Sequence, residues 1–214
     1  MPTCASARPR GARLAFTRPG VLAAALLAAC QQDRGEVEID WTLVDRAGAQ
    51  IFPSGALEDT CAFVGRLPGS GEDLVDYEVL VEINLCEPGC EPGCTDAACI
   101  HTRLTFDCTA ARGYATVEAR SEPYDFDIHL VAAPADGSCA CDLQPPCALI
   151  PGPRRRTVEP GLVTDLSVFL MVLGLDDIDA SREGGRTRLD LTPAADDPEG
   201  EPCCTPDPAC AGDP

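Results

Sequence analysis

The chain has 214 residues, about one to one and a half domains of ordinary size, and 45% of its residues are hydrophobic, enough to bury a core. All 16 basic residues are arginine; the absence of lysine excludes Schiff-base chemistry, a Ser-Lys dyad and a P-loop lysine. The 35 acidic residues bring the formal net charge to −19. Because such a surface repels phosphates, nucleic acid is not expected as a partner.

The first 29 residues have the composition of an export signal. Four arginines and no acidic residue precede a nine-residue apolar run at Val21–Ala29. This run is shorter than the roughly 20 apolar residues that cross a bilayer core, so it is typical of a signal peptide rather than a transmembrane anchor. The sequence therefore predicts a signal peptide over residues 1–29, with arginines at Arg8, Arg10, Arg13 and Arg18.

The apolar run ends in Leu27-Ala28-Ala29-Cys30, a branched residue and two small residues before a cysteine. This motif resembles the lipobox of bacterial lipoproteins. The resemblance implies that Cys30 becomes the first residue of the mature chain and carries acyl chains such as palmitate, which anchor it stably in a membrane. Gln31 stands where the inner-membrane retention signal of that family has Asp, which implies the outer membrane of a Gram-negative envelope. An ordinary secretory peptide cut nearby is the alternative.

Residues 30–35 form a short tether between the lipid and the first predicted strand. Fully extended, Gln31–Gly35 reach at most roughly 17 Å. We therefore expect the folded domain to lie close to the membrane surface. Removal of residues 1–29 leaves 185 residues, with twelve arginines against 35 acidic residues and a formal net charge of −23.

The chain contains 14 cysteines, and an exported protein meets an oxidising compartment that favours disulfides. Removing Cys4 with the signal peptide and assigning Cys30 to lipid leaves twelve, an even number that permits complete pairing. The disulfide candidates are Cys61, Cys86, Cys90, Cys94, Cys99, Cys108, Cys139, Cys141, Cys147, Cys203, Cys204 and Cys210.

The grouping of these cysteines suggests a pairing pattern. Four lie at 86–99, three at 139–147 and three in the carboxyl-terminal tail, while Cys61 and Cys108 stand alone. A group of three cannot close on itself. The simplest pattern that pairs all twelve joins Cys61 to Cys108, closes the group of four internally, and sends at least one bond from 139–147 to the tail.

Metal binding is the alternative use of the group of four. Cys86, Cys90 and Cys94 are separated by Glu-Pro-Gly, whose Pro and Gly predict tight turns that bring the cysteines together. The three-residue spacing is also permitted in zinc sites, though it does not diagnose one. The candidate metal ligands are Cys86, Cys90, Cys94 and Cys99.

Alternating apolar and polar residues predict an all-β antiparallel sandwich over residues 36–194. Cysteine-rich insertions at 86–99 and 139–147 lie between strands, and 57–64 forms at most a short helix. The acidic, Pro-rich tail at 195–214 is predicted to be irregular and tethered through its cysteines. The apolar faces start with Val37, Ile39, Trp41 and Leu43 and continue with Tyr77, Val79, Val81, Ile83 and Leu85; Ile100, Thr102, Leu104 and Phe106; Phe126, Ile128 and Leu130; and Leu166, Val168, Leu170 and Val172.

Four stretches share the pattern of a known module: Trp41-Thr42-Leu43-Val44-Asp45, Phe106-Asp107-Cys108, the segment 124–137, and Val158-Glu159-Pro160-Gly161. Together they resemble the immunoglobulin-like, prealbumin-like repeats of bacterial envelope lipoproteins. In these repeats an Asp-Gly turn and a V-x-P-G bend precede the last long strand. The resemblance implies an immunoglobulin-like strand arrangement, although the Cys, Trp, Cys spacing of antibody domains is not present.

The sequence offers little for catalysis. His101 and His129 fall on the polar faces of predicted strands, where we expect them to be exposed, and no G-x-S-x-G elbow accompanies either. Asp125, Asp127 and His129 share one strand face, either as a weak cation site or as an ordinary solvated face. The run 154–156 of three arginines is expected to pair with the protein's own acidic residues. We therefore predict no enzyme, no catalytic residues and no cofactor.

The first functional hypothesis is a membrane-anchored envelope lipoprotein that acts as a non-catalytic binding or structural module, held by its amino-terminal lipid and facing a protein or glycan partner. The alternative is a metal-binding or redox-sensing lipoprotein that uses the cysteine group at 86–99. Free thiols or bound zinc would distinguish the second from the first.

Overall fold

The computed structural model describes residues 33–52, 61–67, 73–90, 94, 96–137, 139–145, 147–173, 182–183, 186–188 and 203–206. The predicted signal peptide and Cys30 lie outside these residues. The strands are β1 (Arg34–Val44), β2 (Gln50–Phe52), β3 (Ala62–Gly65), β4 (Val75–Cys86), β5 (Ile100–Asp107), β6 (Arg112–Glu118), β7 (Tyr124–Pro134), β8 (Cys141–Leu143), β9 (Ala148–Leu149), β10 (Arg154–Arg156), β11 (Val163–Leu173), β12 (Arg182–Glu183), β13 (Arg186–Arg188) and β14 (Cys204–Pro206). Single 3-10 turns occupy Ala97–Cys99 and Cys108–Ala110.

The strands form two sheets. The first has the order β2-β1-β11-β9, with β6 also paired to β1. The second has the order β12-β13-β3-β4-β7-β8-β14, with β5 added to β4 and β10 to β7. Most pairs are antiparallel, and the predicted all-β antiparallel sandwich is confirmed. Two pairs, β1–β11 and β13–β3, are parallel, which the sequence did not indicate.

The two sheets share one core, built from the alternating apolar residues of their long strands. Strand β1 buries Trp41, and β4 buries Tyr77, on the inward faces that the sequence predicts. On β7 the inward face carries Phe126, Ile128 and Leu130, all buried as predicted. Strand β5 lies at the side of β4, where its apolar residues Leu104 and Phe106 are only partly buried against the core.

The buried face of β11 differs from the prediction in its second half. The alternation predicts one inward face containing Leu166, Val168 and Leu170. Leu166 is buried, but Val168 and Leu170 are more than half exposed. The residues that face the core instead are Phe169, Met171 and Leu173.

A bulge at Ser167 explains this difference. The register between β1 and β11 shifts by one residue at this point: Glu38 lies opposite Asp165, whereas Asp40 lies opposite Val168. Strand β11 therefore carries one extra residue, and Ser167 has a positive φ of 62°. Since side chains alternate between faces, one extra residue exchanges the two faces beyond it.

Two short segments also differ from the sequence prediction. Residues 62–65 form strand β3, where the sequence favours at most a short helix, and residues 53–60 lie outside the described part of the chain. The tail, predicted to be irregular, contains β14, which pairs with β8. Strand β1 begins at Arg34, inside the predicted tether.

Candidate functional site

The cysteine-rich insertion after β4 is closed by two interleaved disulfides. Cys86 is bonded to Cys94, and Cys90 to Cys99, with Cα atoms 5.5 and 5.9 Å apart. The group of four therefore pairs internally, in agreement with the predicted pattern. In this oxidised state the four sulfurs of the candidate metal site are engaged in disulfides and provide no thiolate ligand.

The second predicted bond, between Cys61 and Cys108, is present and lies in the core. The two Cα atoms are 5.8 Å apart and both residues are buried. A cleft of about 160 Å³ lies beside this disulfide, and its polar lining includes Glu78, Asp107 and Thr109. No histidine is among the described residues that line this cleft.

The third predicted connection joins the 139–147 group to the tail. Cys147 is bonded to Cys203, with Cα atoms 5.1 Å apart. Cys139 and Cys141 are disulfide-bonded as well. Cys204 is described only through the backbone of β14, and Cys210 lies outside the described residues. All ten cysteines whose bonding the structure describes are therefore oxidised.

His129 lies between two carboxylates on the outer face of the second sheet. Its Nε2 is 3.0 Å from an oxygen of Asp127, two residues earlier on β7, and its Nδ1 is 3.2 Å from Asp142 on β8. Only 23% of the His129 side chain is exposed, so the prediction of an exposed histidine is wrong. Gln144 donates a further hydrogen bond to Asp142 at 3.0 Å.

These contacts decide the charge of His129. Burial by itself lowers the pKa of His129, but hydrogen bonds and charge interactions with Asp127 and Asp142 outweigh burial and raise the pKa to about 10. The ring is therefore an imidazolium at neutral pH. A protonated ring has no free lone pair, so in this state His129 is neither a general base nor a metal ligand.

The predicted grouping of Asp125, Asp127 and His129 is split in the structure. Asp127 contacts His129, while the carboxylate of Asp125 lies 3.8 Å from the guanidinium of Arg155 on β10. Asp125 and Asp127 thus have different cationic partners. Among the residues that the structure describes, no group of three or more His, Cys, Asp or Glu side chains is placed to hold a metal ion.

His101 belongs to a second ion cluster, at the end of the sandwich where β1 begins. Its Nδ1 is 2.9 Å from Glu87, which also pairs with Arg120. Arg120 lies 3.4 Å from Glu118 and stacks 5.2 Å from the ring centre of Tyr124. The His101 side chain is 21% exposed, so this histidine is also more buried than predicted.

The charged groups of this cluster shift one another's pKa values toward the ionised forms. Burial raises the pKa of Glu87, but the hydrogen bonds and charges of Arg120 and His101 bring it below its usual value. Burial lowers the pKa of Arg120, but its hydrogen bonds to Glu87 and Glu118 raise it overall. Glu87 follows Cys86 directly, so the cluster is attached to the cysteine-rich insertion.

The side chain of the first arginine of the 154–156 run contacts strand β11. Arg154 donates to the carbonyl oxygens of Leu166 and Val168, the latter at 2.8 Å. Its guanidinium lies 3.7 Å from the ring centre of Phe169, a cation–π contact. Burial, followed by the charge of Arg156, lowers the pKa of Arg154.

The other two arginines of the run remain at the surface. Arg155 pairs with Asp125, and Arg156 donates to the carbonyl oxygen of Arg155 at 2.8 Å. The expected internal pairing is thus present for Arg155, whereas Arg154 uses backbone carbonyls and an aromatic ring.

Several of these partners were missed by the sequence analysis. Asp142 reaches His129 from another strand, and Glu118 and Arg120 reach His101 from the end of β6. Each contact spans at least 13 residues along the chain. Strand periodicity identifies the face of a residue but not its neighbour across the sheet, so no local signal could have indicated these clusters.

Comparison of the chain with protein-family models, with curated proteins and with solved structures finds no match. Within the described residues, no helix has the length and apolarity required to span a bilayer. Any functional proposal must therefore rest on the chain's own residues.

Proposed function

We propose that the protein is a lipid-anchored envelope protein whose β-sandwich acts as a non-catalytic binding or structural module for a protein or glycan partner. The observation that carries this proposal is the oxidation of all ten cysteines whose bonding is described. Disulfides at this density form in compartments outside the cytoplasm. This supports residues 1–29 as an export signal.

The proposed anchor rests on the lipobox Leu27–Cys30, and the outer membrane on Gln31 after the lipidated cysteine. The immunoglobulin-like character of the sandwich is likewise part of the proposal. It is supported by the Asp136-Gly137 turn after β7 and by the bend at Val158–Gly161 before the last long strand.

Both histidines support a non-catalytic role. His129 is held as an imidazolium between two carboxylates, and His101 is paired with Glu87 within an ion cluster. A general base must be able to accept a proton near neutral pH and must lie beside a nucleophile. Both histidines are instead held in ion pairs with acidic side chains.

The experiment is an intact-mass measurement of the full-length protein expressed in a Gram-negative host and extracted from membranes without reductant. We expect cleavage before Cys30, a diacyl or triacyl adduct on Cys30, and no thiol that reacts with an alkylating reagent. The control is Cys30→Ser, which should be unacylated and lost from the membrane fraction. An unacylated wild-type chain would overturn the anchor, and free thiols with bound metal would favour the metal-binding alternative.

Redox sensing through the group at 86–99 is a second candidate function, favoured by a difference in burial. Cys86 and Cys94 are buried, whereas Cys90 and Cys99 are half-buried and therefore more accessible to a reductant. If the group is a sensor, mild reduction should open the Cys90–Cys99 bond first, and alkylation with peptide mapping would find those two thiols labelled alone. Simultaneous opening of both bonds would argue against a stepwise sensor.

A further inference from the structure

The bend before β11 is hydrogen-bonded to the first residues of β1. The amide of Gly161 donates to the carbonyl of Arg34 at 2.8 Å, and the amide of Glu36 donates to the carbonyl of Leu162 at 2.9 Å. Between these bonds lies Gly35, where a Cβ would be 2.5 Å from the carbonyl oxygen of Glu159. Only glycine permits this close approach, so the bend is fixed against the segment that leads to Cys30.

Two apolar side chains project from this bend into solvent. Leu162 is 55% exposed and Val163 is 54% exposed. The bend is nevertheless held in place, because Val158 is fully buried and its carbonyl oxygen accepts a hydrogen bond from the backbone amide of Arg120 at 3.0 Å. Burial of this pair in an apolar phase would remove both side chains from water, and the fixed bend gives them a defined direction.

Covalent geometry limits how far this pair can lie from a lipid attached to Cys30. The four steps from Cys30 to Arg34 span at most about 14 Å when fully extended. Strands β1 and β11 are parallel, so both lead away from the tether in the same direction. Leu170 follows Leu162 by eight residues, which corresponds to about 26 Å along the strand.

We propose that Leu162 and Val163 insert into the interfacial layer of the phospholipid bilayer beside the acyl chains of Cys30. This inference rests on the proposed lipid anchor. Contact through the whole outer face of the first sheet is less favourable, because it would bring the ion pairs of Arg112 with Glu38 and Asp40 to the lipid together with Val168. Insertion of the bend alone leaves those ion pairs in water and brings the exposed Glu36, opposite Val163, and Glu159 to the polar headgroup layer. The sandwich therefore stands with its β11 bend toward the membrane.

The chain contains matched controls for this proposal. Leu162 and Leu170 are both 55% exposed, and Val163 and Val168 are both 54% exposed, so each pair differs in distance from the tether and not in side chain or exposure. The experiment replaces Leu162 or Leu170 by the photoreactive residue p-benzoylphenylalanine in the full-length, membrane-bound protein. After irradiation, phospholipid adducts are measured by mass spectrometry.

We expect phospholipid adducts from position 162 and several-fold fewer from position 170. Equal yields at the two positions, or adducts from position 170 alone, would overturn the proposed orientation. The mass of the acyl chains on Cys30 is read in the same spectrum. A protein that carries acyl chains but forms no phospholipid adduct at position 162 therefore contradicts only this inference. A chain without acyl mass contradicts the anchor itself. The non-reducing peptide map must be that of the wild type, and the same comparison at Val163 and Val168 provides the second test.

Discussion

The indole N–H of Trp41 donates to the carbonyl oxygen of Cys108 at 2.9 Å. This hydrogen bond joins strand β1 of the first sheet to the residue that forms the disulfide with Cys61, next to the second sheet. The centre of the Phe106 ring lies 5.9 Å from the centre of the Trp41 ring. The inter-sheet core is thus fixed at one point by a hydrogen bond, a disulfide and an aromatic contact.

Trp41→Phe should lower the free energy of unfolding by about 2–4 kcal/mol. The substitution removes the indole donor from a buried carbonyl and leaves a cavity where the larger ring was. Urea unfolding of the oxidised protein, followed by circular dichroism, measures the change. The control is Tyr114→Phe, which removes a hydroxyl that donates to Glu38 and accepts from Arg112 at a residue that is 57% exposed. Because these groups are in contact with water, this change should alter stability by less than about 0.5 kcal/mol. A similar loss in both variants would contradict a special role for the Trp41–Cys108 bond.

Loss of the Cys61–Cys108 disulfide should cost more than loss of the Cys90–Cys99 disulfide. The two bonds join residues that are 47 and 9 positions apart in the chain. The chain entropy that such loops remove from the unfolded state corresponds to a stabilisation of about 4 and about 3 kcal/mol. Burial of Cys61 and Cys108 adds a packing loss. Paired Cys→Ala variants, compared by urea unfolding, test the order. If the 90–99 variant is the less stable of the two, local packing of the insertion outweighs loop closure.

The His129 cluster should make stability fall as pH rises above neutrality. The folded-state pKa of about 10 lies above the unfolded value of 6.5, so the contribution is fully present below pH 6.5 and is lost as the pH approaches 10. His129→Gln should reduce stability by a few kcal/mol near pH 7, because Asp127 and Asp142 lose the cation between them.

Unfolding free energies of wild type and His129→Gln, measured from pH 6 to pH 10, provide the test. The difference between the two proteins should be constant up to about pH 6.5 and shrink from there to pH 10. A difference that is independent of pH would show that the histidine contributes packing rather than charge.

Ser167→Gly should stabilise the protein by about 0.5–1 kcal/mol. Ser167 has a φ of 62°, a left-handed conformation that costs a non-glycine residue energy and glycine almost none. Ser167→Val should destabilise it, since a β-branched residue fits this conformation poorly. Thermal unfolding of the two variants should therefore move in opposite directions, and a shared direction would contradict the bulge.

The sequence predicts the long strands well. In a sandwich only one side of each sheet faces the core, so every second residue of a long strand is apolar and buried. Val37 to Leu43 on β1 and Tyr77 to Leu85 on β4 show this directly. The same rule fails on β11, where Ser167 inserts one extra residue. Nothing in the local composition marks that position, since serine is not a residue that typically adopts a positive φ.

The cysteine pairing could be anticipated because parity and grouping restrict the possible bonds. The ion clusters could not, because they depend on cross-strand register. Glu82 lies opposite His129 on β4, yet the close partners of His129 are Asp127 and Asp142. Which acidic side chain reaches a histidine is decided by strand order and side-chain direction, and neither can be read from one strand alone.

The parallel pairing of β1 with β11 has a mechanical consequence. From Glu36 to Val44, β1 lies beside β11 with both strands running the same way. A pull on the start of β1, opposed by a load on the end of β11, stretches these hydrogen bonds in shear, so they must break together rather than one at a time. An antiparallel hairpin pulled at its two ends would unzip instead. The sandwich is therefore built to resist tension applied between its first and last long strands.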